Sequence, residues 1–248
     1  MTYKIAVMLP STTNNRNWNT VKETLLFKVF LKSFLTTYDK NYNYTIFLVV
    51  DDDDKVFSKK EEQTFLKRFI KIMKNVDLKI IYSTNIEKGC VTHMWNRAFK
   101  IAYDNGFDYF YQCGDDVEFL DSNWVSECIN SLQKNNNVGL TGPLDFGRYL
   151  YEIHNDTKQK FLLTQTFVSR KHMEFFGFYF PEEIKNWFCD DWITHVYLKK
   201  NMVYLINKRI LNKGGDPRYV PDGKGEDWKR MTELCESLVN KYCEKITN

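Results

Sequence analysis

The chain predicts an α/β fold with a mostly parallel central sheet flanked by helices, and three features of the sequence predict it. Short β-rich runs alternate with helical patterns through residues 1–143. Three of those runs end in polar or acidic residues, as strands do at the ligand-binding edge of an open sheet. The alternation then stops, and residues 144–225 form a mixed segment before residues 226–248 close the chain as a helix.

The elements follow in order. The apolar run 3–9 reads as a first strand that ends in Pro10, Ser11 and Thr12, and residues 20–37 carry a helical pattern. Residues 45–50 form a second strand that runs into Asp51, Asp52, Asp53 and Asp54; a helix over 59–74 and a third strand over 78–83 come next. Met94, Ala98, Ile101 and Ala102 recur at helical spacing until Gly106 stops them, and the strand 108–113 follows directly and ends in Gly114, Asp115 and Asp116. A helix through Trp124, Cys128 and Leu132 leads to three asparagines, a short strand over 138–141 and a turn at Gly142-Pro143. The mixed segment holds a β-rich piece at 161–169 and the aromatic run 175–181, and it suits a small mixed subdomain better than another parallel unit. A helix over 190–200, a strand over 202–206, a Gly/Pro-rich loop over 212–225 and a closing helix over 227–245 complete the reading.

With 248 residues and 43% hydrophobic content, the chain buries one substantial core, alone or with a small appended subdomain. Its net charge is only +3, and the 35 basic residues are scattered along the chain, so nucleic acid is not an expected partner. The six cysteines form no CxxC pair and no zinc spacing, which reads as reduced, buried thiols. Residues 4–10 are too short for a signal peptide, and no apolar run approaches the ~20 residues of a membrane span, so a soluble, cytoplasmic protein is expected. Abundant Asn, Lys, Phe and Tyr match an AT-rich genome, of the kind found in large DNA viruses, protists and some bacteria. The sequence carries no signal for an oligomeric state.

The run 109–119 carries the strongest chemistry: an aromatic strand that ends abruptly in adjacent carboxylates. Hard cations such as Mg²⁺ and Mn²⁺ take oxygen ligands of this kind, with water and phosphate oxygens in the remaining positions. Adjacent side chains diverge, so one carboxylate suits the metal and the other a ribose hydroxyl; the plain alternative is a turn that caps the helix after Ser122. Of the four aspartates after the second strand, Asp51 lies nearest the sheet and is best placed to accept the imide N–H of a pyrimidine, against the alternative of a solvated loop. Lys88 and Gly89 stand between a strand and a helix, where a helix N-terminus and a cation suit a diphosphate, although a solvated lysine fits equally well. The glycine loop with Arg218 reads more simply as a surface turn than as a cover for phosphates. The four histidines, His93, His154, His172 and His195, have no ligand-like spacing and are assigned no chemistry.

Taken together, a first strand ending in Pro-Ser-Thr, a second ending in Asp, a Lys-Gly-x5-Trp-Asn-Arg-Ala helix and a strand ending in an acidic pair resemble glycosyltransferases of the A-type fold, above all family-two-like enzymes. The resemblance covers about residues 3–200 and includes the Gly89, Asn96, Ala98 pattern of the helix before the metal strand. It implies one Rossmann-like domain over 1–248, with a nucleotide-sugar half (1–143), an acceptor-side half (144–225) and the C-terminal helix. It implies a nucleotide-sugar donor, with the UDP form favoured, bound by Pro10, Ser11, Thr12, Asp51, Asp53, Lys88, Asn96 and Asp115, with Mn²⁺ or Mg²⁺ on Asp116. The family's Asp-x-Asp is departed from here, since Gly114 stands where its first carboxylate belongs. Many relatives also supply a late histidine to the metal; none follows His195, which leaves Asn207, Asn212, Asp216 or water. Asp190 and Asp191 resemble the family's acidic pair at a helix start, with Asp191 the first choice of general base and Asp190 the second. A charged helix N-terminus explains the same pair without any reaction. Trp187 and Trp192 are the candidate sugar platforms, against a plain core role. The implied reaction is a single inverting displacement onto an acceptor hydroxyl of a glycan or other molecule. A nucleotidylyltransferase is the rival enzyme reading, weakened by the lack of glycine over 10–18, and an inactive sugar-binding module is the non-enzyme one.

Overall fold

The computed structural model describes residues 2–148, 162–214, 218–221 and 225–247. Strand β1 (Lys4–Ser11) is followed by a π-helical turn, Leu26–Leu31, that continues into α1 (Lys32–Thr37). Then come β2 (Asn43–Val50), α2 (Lys60–Ile70), β3 (Val76–Tyr82), α3 (Val91–Asp104), β4 (Tyr109–Gln112), β5 (Val117–Phe119) and α4 (Trp124–Gln133). The second half holds β6 (Leu140–Asp145), β7 (Thr166–Ser169), α5 (Lys171–Phe176), α6 (Cys189–Leu198), β8 (Val203–Asn212) and α7 (Trp228–Cys243).

All eight strands join one sheet in the order β3-β2-β1-β4-β7-β6-β8-β5. The pairs β1–β2, β1–β4, β2–β3 and β6–β8 are parallel, whereas β7 is antiparallel to β4 and β6, and β5 to β8. Two antiparallel steps across β7 restore the original direction, so β1, β2, β3, β4, β6 and β8 all point the same way. Their carboxyl ends therefore share one edge, which is where open α/β sheets bind ligands.

Strand alternation divides the core. Ile5, Val7 and Leu9 face the π-turn, α1, α2 and α4, while Ala6 and Met8 face α3, α6 and α7. Both faces of β1 are buried, which explains its unbroken apolar run.

The structure departs from the sequence reading in three places. Gly142 and Pro143 lie inside β6 and form no turn: the ladder shifts register between Gly142 and Leu144, and such an irregularity accommodates a proline that cannot donate. At Gly142 the backbone of β7 comes so close that a Cβ would stand 2.4 Å from the carbonyl oxygen of Gln165. Residues 117–119 form the unanticipated edge strand β5, and β8 runs on to Asn212 because β5 pairs with its far end. From the aromatic run 175–181, Phe176, Tyr179 and Phe180 join the core between the sheet, α6 and α7. The expectation of buried thiols is met: all six cysteines are free and buried.

Candidate active site

A cavity of about 650 Å³ opens along the shared carboxyl edge. Pro10, Ser11 and Thr12 enter it from the end of β1, Asp51 from β2, Gln112 and Gly114 to Asp116 from β4, Asp145 from β6 and Asn212 from β8. The sheet's direction thus gathers residues spread over two hundred positions of sequence.

Asp115 is buried and held from two sides. The Ser11 hydroxyl donates to it at 2.5 Å, and Nη2 of Arg218 lies 2.9 and 2.8 Å from its two oxygens. Asp51 accepts from the Tyr219 hydroxyl at 2.7 Å and from Nδ2 of Asn14 at 3.1 Å. Asp54, which does not line the cavity, organises the floor beneath them. Its carboxylate accepts from Thr12 Oγ1, Thr13 N and Thr13 Oγ1 on the β1 loop, and from the amides of Val56 and Phe57 on its own loop. The last aspartate of the acidic run is therefore a brace, and Asp51 is the member that faces the cavity.

Asp116 differs from its neighbour. Burial, reinforced by the charge of Asp115, raises its carboxyl to about 6, and Arg218 only partly opposes this. Its carboxylate occupies the space a side chain at position 114 would need, since a Cβ on Gly114 would stand 2.5 Å from Asp116 Oδ1. Asp145 is also pushed upward by burial, and its Oδ1 accepts from the amides of Gly147 and Asn212 at 3.2 and 3.4 Å. A divalent cation fits Asp116 as a counter-charge for a buried carboxylate. Among the described residues no three His, Cys, Asp or Glu side chains converge on one point. A cation at Asp116 would take its remaining ligands from phosphates and water, as Mg²⁺ commonly does.

Across the cavity, α6 begins at Cys189 with Phe188 as its N-cap in the left-handed region, at φ +70°. A bulky side chain rarely adopts that conformation, and such strain concentrates at functional positions. The helix start places Asp190 on the cavity wall, 3.8 Å from Arg148 Nη1. Burial first, and the charge of Asp191 second, lift Asp190 to about 6. A smaller basin of about 330 Å³ adjoins the cavity and shares Arg148, Trp187 and Asp190 with it. Asp191, the first choice of base from sequence, lines only this basin.

The other sequence candidates separate clearly. Trp187 is 40% exposed and stands where the two cavities meet. Trp192 is wholly buried against Phe176, Phe178 and Tyr242, so the platform role expected for it is corrected to a core role: three residues into α6, it faces α7. Asn96 also lies away from the cavity. Its Nδ2 donates to the carbonyl of Phe180 at 2.8 Å, and its Oδ1 accepts from the amides of Tyr179 and Phe180 at 2.9 and 2.8 Å, which makes it a staple between α3 and the aromatic run. Lys88 and Asp53 are paired with each other, and neither lines the cavity. Asn207 is exposed and elsewhere, and Asp216 and His154 lie outside the described residues. His172 is buried between the Tyr197 hydroxyl and the Tyr179 carbonyl, and burial lowers it to about 3. No described histidine lines the main cavity.

Sequence reasoning missed Asn14, Asp145, Arg148, Gln165 and Tyr219, and it ranked Arg218 as a turn residue. No local pattern marks them; only the strand directions and the return of residues 218–221 across the sheet edge bring them in.

No family model and no curated protein matches the chain. Its fold does match solved structures of TarS from S. aureus. One aligns with a TM-score of 0.59 at 13% identity, over 94% of this chain and 39% of TarS. The 1–349 form aligns at 0.55 and 14% identity, covering 95% of this chain and 65% of that one. The same form in complex with UDP aligns at 0.54 and 14% identity, over 83% of this chain and 60% of that one. This chain thus spans less than two thirds of each of these TarS chains. The α/β fold expected from the sequence, a Rossmann-like sheet flanked by helices, is the fold of the chain. No helix among the described residues is long and apolar enough to cross a membrane.

Proposed function

We propose that the chain is a metal-dependent glycosyltransferase that moves a sugar from a nucleotide-diphosphate donor, in the first instance a UDP-sugar, to an acceptor hydroxyl. One observation carries the reading. A single cavity at the carboxyl edge of the sheet joins buried carboxylates from β2 and β4 to a carboxylate at the start of α6, in a fold shared with a protein solved in complex with UDP.

In this reading Asp51 receives the base and Asp115, with Ser11, the ribose. Both carboxylates already accept hydroxyl donors in the geometry such contacts require. Asp116 would hold a divalent cation, which when bound would supply positive charge for the departing diphosphate. Arg218 adds a fixed positive charge beside it. Asp190 is the general base: it borders both cavities, and an acid raised to about 6 is mostly ionised at neutral pH yet basic enough to take a proton. Attack from the side opposite the leaving group makes the transfer inverting.

Calorimetry with UDP, with and without Mn²⁺, together with turnover of a UDP-sugar panel, tests the proposal. Metal-enhanced UDP binding and loss of turnover in Asp116→Ala are expected. Absence of UDP binding under both conditions, or an Asp116→Ala variant as active as wild type, overturns it.

A further inference from the structure

The smaller basin is built from unusual materials for a protein surface. Its lining includes Trp228, 55% exposed at the start of α7, and Trp187, 40% exposed ahead of α6. Large aromatic rings are normally withdrawn from water, because each carries a large apolar area whose exposure is unfavourable. Here two indoles stay at the surface of one small hollow, and a packing contact holds one of them there. Phe188, locked at φ +70°, packs against Trp228 with ring centroids 4.7 Å apart, and its carbonyl accepts from the amide of Trp192 at 2.9 Å. The strained residue thus fixes Trp228 from one helix and the first turn of α6 from the other.

Asp190, Asp191 and Arg148 line the same hollow. Exposed aromatic faces beside planar hydrogen-bonding groups match a sugar ring, which has an apolar C–H face and a rim of hydroxyls. The volume lies at the small end of ligand pockets, which suits sugar residues and not a protein segment. Among the described lining residues two carboxylates stand with one guanidinium, which lies 3.8 Å from Asp190, and this negative excess disfavours phosphate or carboxylate groups.

We infer that this basin is a subsite for an uncharged carbohydrate, held on the Trp187 and Trp228 rings with its hydroxyls on Asp190 and Asp191. It rests on the transferase reading for its role as the acceptor site, because the shared lip at Arg148, Trp187 and Asp190 delivers the bound sugar to the donor cavity. Trp228, absent from the sequence candidates, is then a specificity residue for the acceptor.

The test uses the full chain on an array of neutral and anionic glycans without donor, in wild type, Trp228→Ala and Trp228→Phe. Expected are binding confined to neutral glycans, a fall of about three- to tenfold in Trp228→Ala, and retention in Trp228→Phe. Binding that favours anionic glycans, no glycan binding, or a Trp228→Ala variant that binds like wild type overturns the inference. UDP calorimetry on the same wild-type preparation keeps the two readings apart. Trp228-dependent glycan binding without UDP binding removes the transferase and leaves the subsite, and the converse result removes the subsite alone.

Discussion

Arg218 and Asp115, 103 residues apart in sequence, meet at the centre of the main cavity, with one guanidinium nitrogen donating to both carboxylate oxygens at 2.9 and 2.8 Å. The side chains are 20% and 3% exposed, so the pair is shielded from the solvent that weakens surface ion pairs. Its second effect is on Asp116, whose carboxyl the same guanidinium helps to hold down.

Arg218→Ala removes both effects. Breaking a buried pair while leaving one charge in place costs about 3–5 kcal/mol. Without the guanidinium Asp116 rises further above its ordinary range, so two adjacent carboxylates repel more strongly as pH increases. The stability deficit in urea denaturation should therefore be larger at pH 8 than at pH 5. An equal deficit at both values would separate Arg218 from the acidic pair.

Asp190 gives a pH signature that its neighbour Asp191 tunes. Its carboxyl is raised to about 6, so the base is lost as pH falls through that value, and kcat should show an acid limb near pH 6. Asp191→Asn removes the second cause of the rise and should move the limb to lower pH. For stability the sign is reversed: a raised acid binds more protons folded than unfolded between about pH 4 and 6, so ionising it weakens the fold across that window. Asp190→Asn should gain on the order of 1–3 kcal/mol above pH 6, gain nothing at pH 4, and lose about 10²–10⁴ in kcat. An Asp190→Asn variant with wild-type kcat would return the base role to Asp191.

Tyr219 competes for the carboxylate assigned to the nucleotide base. Tyr219→Phe deletes its 2.7 Å donation to Asp51, a bond of about 0.5–1.5 kcal/mol, and should tighten UDP by roughly two- to tenfold. Weaker UDP binding by calorimetry would mean that the hydroxyl touches the nucleotide directly.

The sheet and its acidic edge were legible because a parallel strand buried on both faces writes an unbroken apolar run, and the residues after it necessarily fall at the ligand edge. What the run does not encode is which polar residue turns inward. Asp51 and Asp54 stand in one acidic stretch, yet one lines the cavity and the other is consumed by loop amides. Trp187 and Trp192 are five positions apart, and the start of α6 sends one to the surface and the other into the core. Asn96 entered the ligand set through the family resemblance, and its actual partners, the amides and carbonyl at 179–180, are 83 and 84 residues away, where no local pattern shows them.

Those partners make Asn96 a test of structure against function. Asn96→Ala strands two amides and a carbonyl in a part-buried position and should cost about 2–4 kcal/mol in urea denaturation. The affinity of the folded variant for UDP should stay within about twofold of wild type. A stable variant that fails to bind UDP would restore the nucleotide role expected from sequence.

Asp54 should act on the nucleotide without touching it. Its five accepted hydrogen bonds tie the loop after β1 to the loop after β2, and the residue is only 1% exposed. Asp54→Ala leaves the Thr13, Val56 and Phe57 amides without that acceptor and should destabilise by about 3–5 kcal/mol. Asp54→Asn keeps one acceptor oxygen but turns an NH₂ group toward donors, so it should fall between wild type and alanine. Because Thr12 and Asn14 are positioned by this brace, both variants should also weaken UDP, by about tenfold, at temperatures where they remain folded. The order wild type, asparagine, alanine should hold in both calorimetry and denaturation, because one carboxylate sets both. If stability falls in that order while UDP affinity does not move, the loop after β1 takes no part in binding the nucleotide, and the donor site must be built on Asp51 and Asp115 alone.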